Sequence, residues 1–372
     1  MAGTKSKKRK RDAVDEDTSK PSAIFNPTGP RKHTLSVALP GSFLNNAHSF
    51  ELKTILAGQI ARALAVFGVD EVVIFDDGVK DDTTDQNGDQ RSSMQSTSAH
   101  DFLALLLSYL ETPPHMRRRL FPMNPDLRKA GLLPSLDMPH HLRRDEWCQY
   151  REGVTLSRAE INSNRQLSPG YTSVDVGLED LVEVEAEIPP NTRITIKFPG
   201  DITTRYESIV EAVAPSAPRE QAGWYWGYEV RQASMISDVF TECPWEGGYD
   251  ISIGTSERGQ PIQEVLKSCL QASNGKLSIE ETINGEANTS AKIKALCNYS
   301  HLLLVFGGHQ GLEVALRNDS QLRGLGVEQP AELFDWWINL HPGQSSRTIR
   351  TEEAIWLGLM AFQGIVDTRS KL

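Results

Sequence analysis

The chain has 372 residues, 39% of them hydrophobic and 24% charged, a length and composition that suit two or three cored domains. Its 39 basic against 49 acidic residues leave a net charge of −10, which excludes a cationic coat over the whole surface and confines any nucleic-acid contact to a local patch. No apolar run reaches the ~18 residues a membrane helix needs, no apolar stretch follows the basic start as in a secretory signal, and Cys148, Cys243, Cys269 and Cys297 lack the C-x-x-C spacing of a zinc ribbon, a pattern that fits a reducing compartment.

Residues 1–30 show no apolar periodicity. Lys5, Lys7, Lys8, Arg9, Lys10 and Arg11 form a basic cluster there, ahead of Asp12, Asp15, Glu16 and Asp17. Such a segment buries too little apolar surface to offset its ordering entropy, and the density of bases favours a nuclear-import signal over a functionless end. Residues 34–39 read as a buried strand closed by Pro40-Gly41. Over 49–67, Leu52, Ile55, Leu56, Ile60, Ala63, Leu64 and Phe67 recur at three- and four-residue steps, which predicts an amphipathic helix stopped by Gly68. Residues 71–75 are a second strand, and strand–helix–strand at this spacing is a βαβ unit with parallel strands. The polar residues 77–98 read as a disordered loop, residues 99–110 as a helix stopped by Pro113-Pro114, and the Pro- and Arg-rich stretch to Pro139 as a tether without regular structure.

The pattern then changes. Short strand-like runs at 153–156, 173–176, 181–184 and 193–198 are separated by turns such as Pro169-Gly170 and Pro189-Pro190-Asn191. They predict a five-stranded OB-like barrel inserted into an α/β body. Arg117, Arg118, Arg119, Arg128, Arg143 and Arg144 cluster near the insertion and are read as phosphate contacts in preference to structural ion pairs. Trp224, Trp226 and Tyr228 alternate as if on one strand face, where packing is favoured over a base-stacking platform. Alternation of strand and helix resumes after residue 222. It gives a strand at 249–253, a helix from Pro261, a polar loop at 272–290, a buried strand at 301–306, a helix at 312–317, a strand at 336–340 and a helix at 352–366 with Thr351 as N-cap. The resulting division is a tail (1–30), a first α/β part (31–140), the barrel (141–221) and a second α/β part (222–372).

Three predicted strand ends open into polar or glycine-rich segments, at 254–259, 307–311 and 339–350. Ligands of parallel α/β sheets sit beyond the carboxyl ends of strands, so these segments mark the active region. Gln260 stands where a P-loop needs Lys, no G-x-G-x-x-G follows an early strand, no G-x-S-x-G elbow exists, and His140-His141 lack metal spacing. Triphosphatase, dinucleotide, serine-hydrolase and metal chemistries are therefore unsupported. Residues 341–354 are the most distinctive segment: small residues allow close backbone approach and Arg347 and Arg350 offer anion contacts, although a solvated turn before a capped helix explains the composition equally well.

Residues 34–40 with 49–76, 254–259, 306–308 and above all Arg347-Thr348-Ile349-Arg350-Thr351-Glu352-Glu353-Ala354 resemble the eukaryotic and archaeal SPOUT-class RNA methyltransferases, over roughly residues 31–367. The resemblance implies an α/β trefoil-knot domain interrupted by an OB-like barrel. It also implies S-adenosylmethionine as methyl donor, a homodimer, and an RNA substrate, with N3 of a uridine in large-subunit ribosomal RNA as target; the basic cluster at residues 5–11 points to a nuclear or nucleolar location. It places the donor against Gly254, Thr255, Arg258, Gly308, Asn339, Gln344, Ile349 and Thr351, and the chemistry near Arg347, Arg350 and Glu257. Two extended polar loops and Ser345, where relatives often carry Gly, depart from the pattern. The alternative is a non-catalytic RNA-binding or mitotic scaffold that keeps the fold without turnover.

Overall fold

The structure, a computed structural model, describes residues 27–79, 97–157, 160, 169–199, 209–273 and 287–369. The basic tail lies almost wholly outside the described residues, as does most of 77–98. In chain order the first elements are strand β1 (Thr34–Pro40), a 3-10 turn (Gly41–Asn46), helix α1 (Phe50–Val66), β2 (Glu71–Phe75), α2 (Ala99–Glu111) and α3 (Pro114–Leu120). The barrel strands β3 (Tyr150–Thr155), β4 (Thr172–Asp175), β5 (Val182–Val184), β6 (Arg193–Lys197) and β7 (Ile209–Val213) follow. Then come α4 (Ala217–Ala222), β8 (Glu229–Ala233), α5 (Ile236–Thr241), β9 (Ile251–Pro261), α6 (Ile262–Ser273), α7 (Ala287–Cys297), β10 (His301–Val305), α8 (Leu312–Asn318), α9 (Ser320–Gly324), β11 (Trp336–Asn339) and α10 (Thr351–Arg369).

Six strands form one parallel sheet in the order β11-β9-β10-β1-β2-β8. The central strands Thr-Leu-Ser-Val-Ala-Leu-Pro, Glu-Val-Val-Ile-Phe and His-Leu-Leu-Leu-Val are near-continuous apolar runs because helices cover both faces. One face packs Leu35, Val37, Leu39, Val72, Ile74, Leu302 and Leu304 under α1, α2, α6, α7 and α10. The other packs Ala38, Val73, Phe75, Leu303 and Val305 under α5, α8 and α9. Ser49 caps α1 by accepting from Leu52 N, and Ser98 caps α2 by accepting from Asp101 N. Among the described residues no helix is long and apolar enough to cross a membrane.

The expected small barrel is present and closed, in the order β3-β4-β5-β7-β6, with β5 and β7 parallel and the other pairs antiparallel. Val174, Val176, Val182, Val184, Ile196, Phe198 and Val210 fill it. All its strands lie in sequence between β2 and β8, which are nevertheless paired in register from Glu71↔Glu229 to Phe75↔Ala233.

The body grips the barrel through a buried polar knot at the end of α2. Both guanidinium nitrogens of Arg193 donate to the Glu111 carboxylate (2.5 and 3.0 Å) while its Nε donates to Glu152 (2.6 Å). Glu152 Oε1 also accepts from Thr195 (2.6 Å) and Trp226 Nε1 (2.7 Å). Burial alone would raise the Glu111 carboxyl, yet Arg193 and His140 hold it far below the usual carboxylate range.

Several expectations are corrected. The stretch after Pro113 carries α3 and two short 3-10 turns, not an irregular tether. Residues 224–228 are not a strand: β8 begins at Glu229, and Trp226 and Tyr228 are buried, with the Tyr228 hydroxyl donating to Leu107 O, so the aromatic triplet packs and is no stacking platform. The polar loop expected at 272–290 is helical at both ends, since α6 runs to Ser273 and α7 starts at Ala287. Thr351 is the first residue of α10 and its hydroxyl donates to Gly307 O, while Arg350 N is capped by the Glu353 carboxylate.

Candidate active site

The three polar segments come together because β11, β9 and β10 are neighbours and parallel, so their carboxyl ends share one edge. The first segment is no simple loop. Trp337 pairs with Gly254 and the next residue, Ile338, pairs with Gln260, so residues 255–259 bulge out of a continuing strand. Side chains stitch the segments to one another. Thr255 Oγ1 donates to Val305 O (3.0 Å), Asn339 Nδ2 to Glu257 O (2.7 Å) and Thr351 Oγ1 to Gly307 O (3.0 Å). Arg258 pairs with Glu313 on α8 at 3.2 Å.

Gly254 is buried, and a Cβ there would overlap the rings of Phe334 and Trp337. Rings packed on both sides cannot yield as a flexible chain would. Gly254→Ala is expected to cost about 1–3 kcal/mol by overpacking, read as a lowered thermal midpoint.

Beyond the stitched edge lies an open concavity of about 860 Å³. Gln344, Ser346, Thr348, Ile349 and Arg350 of the last segment line it, with Gln59 of α1 and Trp356 and Leu357 of α10. Of the residues singled out in the sequence, Gln344, Ile349 and Arg350 line this space. Gly254, Thr255, Gly308, Asn339 and Thr351 instead belong to the stitched edge. Arg347 is exposed in the same segment, Glu257 is exposed on the bulge, and Arg258 is drawn towards α8.

Two polar residues at this edge escaped the sequence reading. Ser42, after β1, donates to Asp77 Oδ2, after β2, at 2.5 Å. Both press on the second segment: a Cβ on Gly308 would lie 3.1 Å from Ser42 Oγ and 3.2 Å from Asp77 Oδ2. Asp77 is 4% exposed, and among the described residues it forms no ion pair. Burial raises its carboxyl above the usual range, offset in part by hydrogen bonds from Ser42 and Val79 N. The signal was a strand end followed by Pro40-Gly41-Ser42 and another followed by Asp76-Asp77-Gly78; the sheet order that brings them to Gly308 was not readable from the chain.

The six arginines near the insertion divide. Arg117 donates to Leu110 O and Thr112 O, Arg119 pairs with Glu160, Arg128 lies 3.9 Å over the Phe50 ring, and Arg144 is 3.9 Å from Glu179. Arg118 and Arg143 are exposed and form no ion pair among the described residues. The group is thus partly structural.

Comparison with known proteins shows the family of the chain. The family described as "Putative RNA methyltransferase" matches over residues 34–362. A Homo sapiens protein named 28S rRNA (uridine-N(3))-methyltransferase is 41% identical over 347 residues, 92% of this chain and 81% of that protein. A Drosophila melanogaster protein of the same name is 40% identical over 342 residues, 90% of this chain and 62% of that protein. An uncharacterized Halobacterium salinarum protein is 26% identical over 326 residues, 87% of this chain and 96% of that protein.

Proposed function

The chain belongs to this RNA methyltransferase family, and from that premise we propose that it methylates N3 of a uridine in large-subunit ribosomal RNA. The observation that carries the proposal is the meeting of three polar segments, far apart in sequence, at one stitched edge of the parallel sheet. The test is mass spectrometry of nucleosides from ribosomal RNA of cells with and without the protein: 3-methyluridine disappears with the protein, and an unchanged level refutes the reading.

The edge suits S-adenosylmethionine. Its turns offer backbone groups and small residues, and a side chain at Gly308 would fill the space beside Ser42 and Asp77. When bound, the donor supplies an electrophilic methyl carbon on a sulfonium. Gly254, Thr255, Gly308, Asn339, Ile349 and Thr351 would hold it through backbone and hydroxyl groups, with Gln344 and Arg258 at its margins. The protein's share of the acceleration is then positioning and electrostatics, because in-line transfer needs little covalent help. Arg347 or Arg350 would stabilise negative charge on the base carbonyls as the N3 proton leaves, and Glu257 is exposed on the bulge, its backbone carbonyl tied to Asn339.

We assign the chain to the SPOUT class with a trefoil knot, supported by the way the chain leaves β11, runs through 340–350 and returns to Gly307 at Thr351. The strand order and the parallel β5–β7 pair support an OB-fold barrel, whose natural role is to grip RNA. A base inside a duplex is out of reach, so the target would lie in a loop or be flipped out.

A homodimer is supported by one apolar face. Leu52 and Ile55 of α1 and Trp356, Leu357 and Met360 of α10 are all exposed, Met360 by 66%. Phe67, just after α1, makes an edge-on contact with Trp356 of α10. A second copy docked there would wall the concavity. Met360→Glu is expected to weaken the dimer at least tenfold, about the worth of one buried apolar side chain, read by sedimentation. We further propose nuclear and nucleolar residence directed by the basic cluster at residues 5–11.

A further inference from the structure

Uracil at neutral pH carries a proton on N3 and has no nucleophilic electron pair there, so a methyltransferase acting on N3 must remove that proton. The arginines of the last segment are permanently charged and cannot accept it. Glu353 accepts from Arg350 N, and Glu352 lies 4.0 Å from Arg350. The Ser42–Asp77 pair is placed differently. It abuts Gly308 at the stitched edge, Ser42 is partly exposed, and Asp77 is buried behind it.

We propose that Ser42 and Asp77 are the proton acceptor of the transfer, Ser42 Oγ touching the target base and Asp77 acting through it. This rests on the reading that a uridine N3 is the acceptor. The N3–H bond breaks and its proton passes to Ser42 Oγ, while the Ser42 hydroxyl proton passes to Asp77 Oδ2. The freed N3 pair forms the new N–C bond. The C–S bond breaks and its electron pair stays on sulfur. A carboxylate and a sulfonium enter; a carboxylic acid and a neutral thioether leave. Both charges vanish in the same step, which a water-poor site favours because neither has to be re-solvated.

The local structure suits the role. The 2.5 Å hydrogen bond from Ser42 fixes the hydroxyl so that its lone pairs face away from Asp77. Asp77 is held from the other side by Val79 N on Oδ1 and by Asn318 Nδ2 on its backbone carbonyl. Asp76 is also acidic and adds to the effect of burial in favouring the protonated form of Asp77. A carboxylate that welcomes a proton is what a base for so weak an acid needs. Asp77 is therefore a positioning residue that stores the proton, and Ser42 is the catalytic residue.

The test compares the wild-type protein, Asp77→Asn and Ser42→Ala on two copies of a ribosomal RNA fragment. One carries uridine at the target, and the other carries 5-fluorouridine, whose N3–H is more acidic. Single-turnover rates are read together with calorimetric affinity for S-adenosylmethionine. On uridine each variant is expected to lose about 10²-fold or more in rate, with donor affinity within a few-fold of wild type. On 5-fluorouridine at least tenfold of that loss returns, because the proton leaves without help. If wild type methylates N3 and the variants lose the same factor on both RNAs, the two residues merely support the Gly308 turn and the proposal is overturned. It is overturned equally if the variants keep full rate. If wild type places no methyl on N3, the functional reading itself falls, and the pair falls with it.

Discussion

Arg193→Ala is expected to destabilise the protein by about 3–5 kcal/mol, because it strands the Glu111 and Glu152 carboxylates in a buried site without their shared cation. Among the described residues, Glu111 then keeps His140, and Glu152 keeps the Trp226 and Thr195 donors. The loss is pH-dependent with a definite sign. A carboxyl held below its unfolded value contributes stability that is complete above the unfolded pKa of about 4.3 and is lost as the pH falls towards the folded value. Glu111 is such a group in the wild type, and Arg193 is the main cation holding it there. Urea unfolding at pH 7 should therefore show the full deficit, and unfolding near pH 3 a smaller one. A deficit that is constant across that range would remove Arg193 as the clasp. Because the same residues join α2 to β3 and β6, the variant should also be cleaved faster by proteases at the barrel junction.

This clasp also shows where sequence reading stops. Glu111 ends a helix whose apolar positions were plain, and Arg193 opens a strand that was placed correctly. Nothing in either segment announces the partner, since the pair is 82 residues apart and made where the barrel meets the end of α2. Elements buried on two faces were legible for the opposite reason. β1, β2 and β10 are near-continuous apolar runs, and the parallel sheet they imply follows from the helices between them. The segments at 307–311 and 339–350 were legible as strand ends, and their meeting with residues 254–259 of β9 follows once β11, β9 and β10 are neighbours. The bulge at 255–259 was not, because a strand that swells and then resumes pairing looks like a polar loop. Trp224, Trp226 and Tyr228 misled for a related reason: alternation of large aromatics signals a strand, but here buried hydrogen-bonding tips, Trp226 on Glu152 and Tyr228 on Leu107 O, fix an irregular segment in the core.

Arg347→Ala and Arg350→Ala are expected to lower single-turnover methylation by about 10²–10³-fold, the worth of one donor aimed at developing charge. Arg347 is exposed and makes no ion pair among the described residues, and Arg350 reaches only a 4.0 Å contact with Glu352. Neither side chain therefore supports the fold, and stability should stay within about 0.5 kcal/mol of wild type. S-adenosylmethionine affinity, read by calorimetry, should change little, because the proposed donor contacts are backbone groups and hydroxyls. The two remaining effects separate the roles. A side chain that only neutralises a phosphate weakens RNA binding and flattens its salt dependence, by about 0.7 in the log–log slope for a single-stranded contact. Raising RNA concentration then restores the rate. A side chain that stabilises charge on a uracil carbonyl leaves a deficit that saturating RNA cannot repair, and lysine, which lacks the planar fork, recovers binding before it recovers rate. Normal turnover in both alanine variants would remove the arginines from the chemistry, leaving the Ser42–Asp77 pair and the stitched edge to carry it.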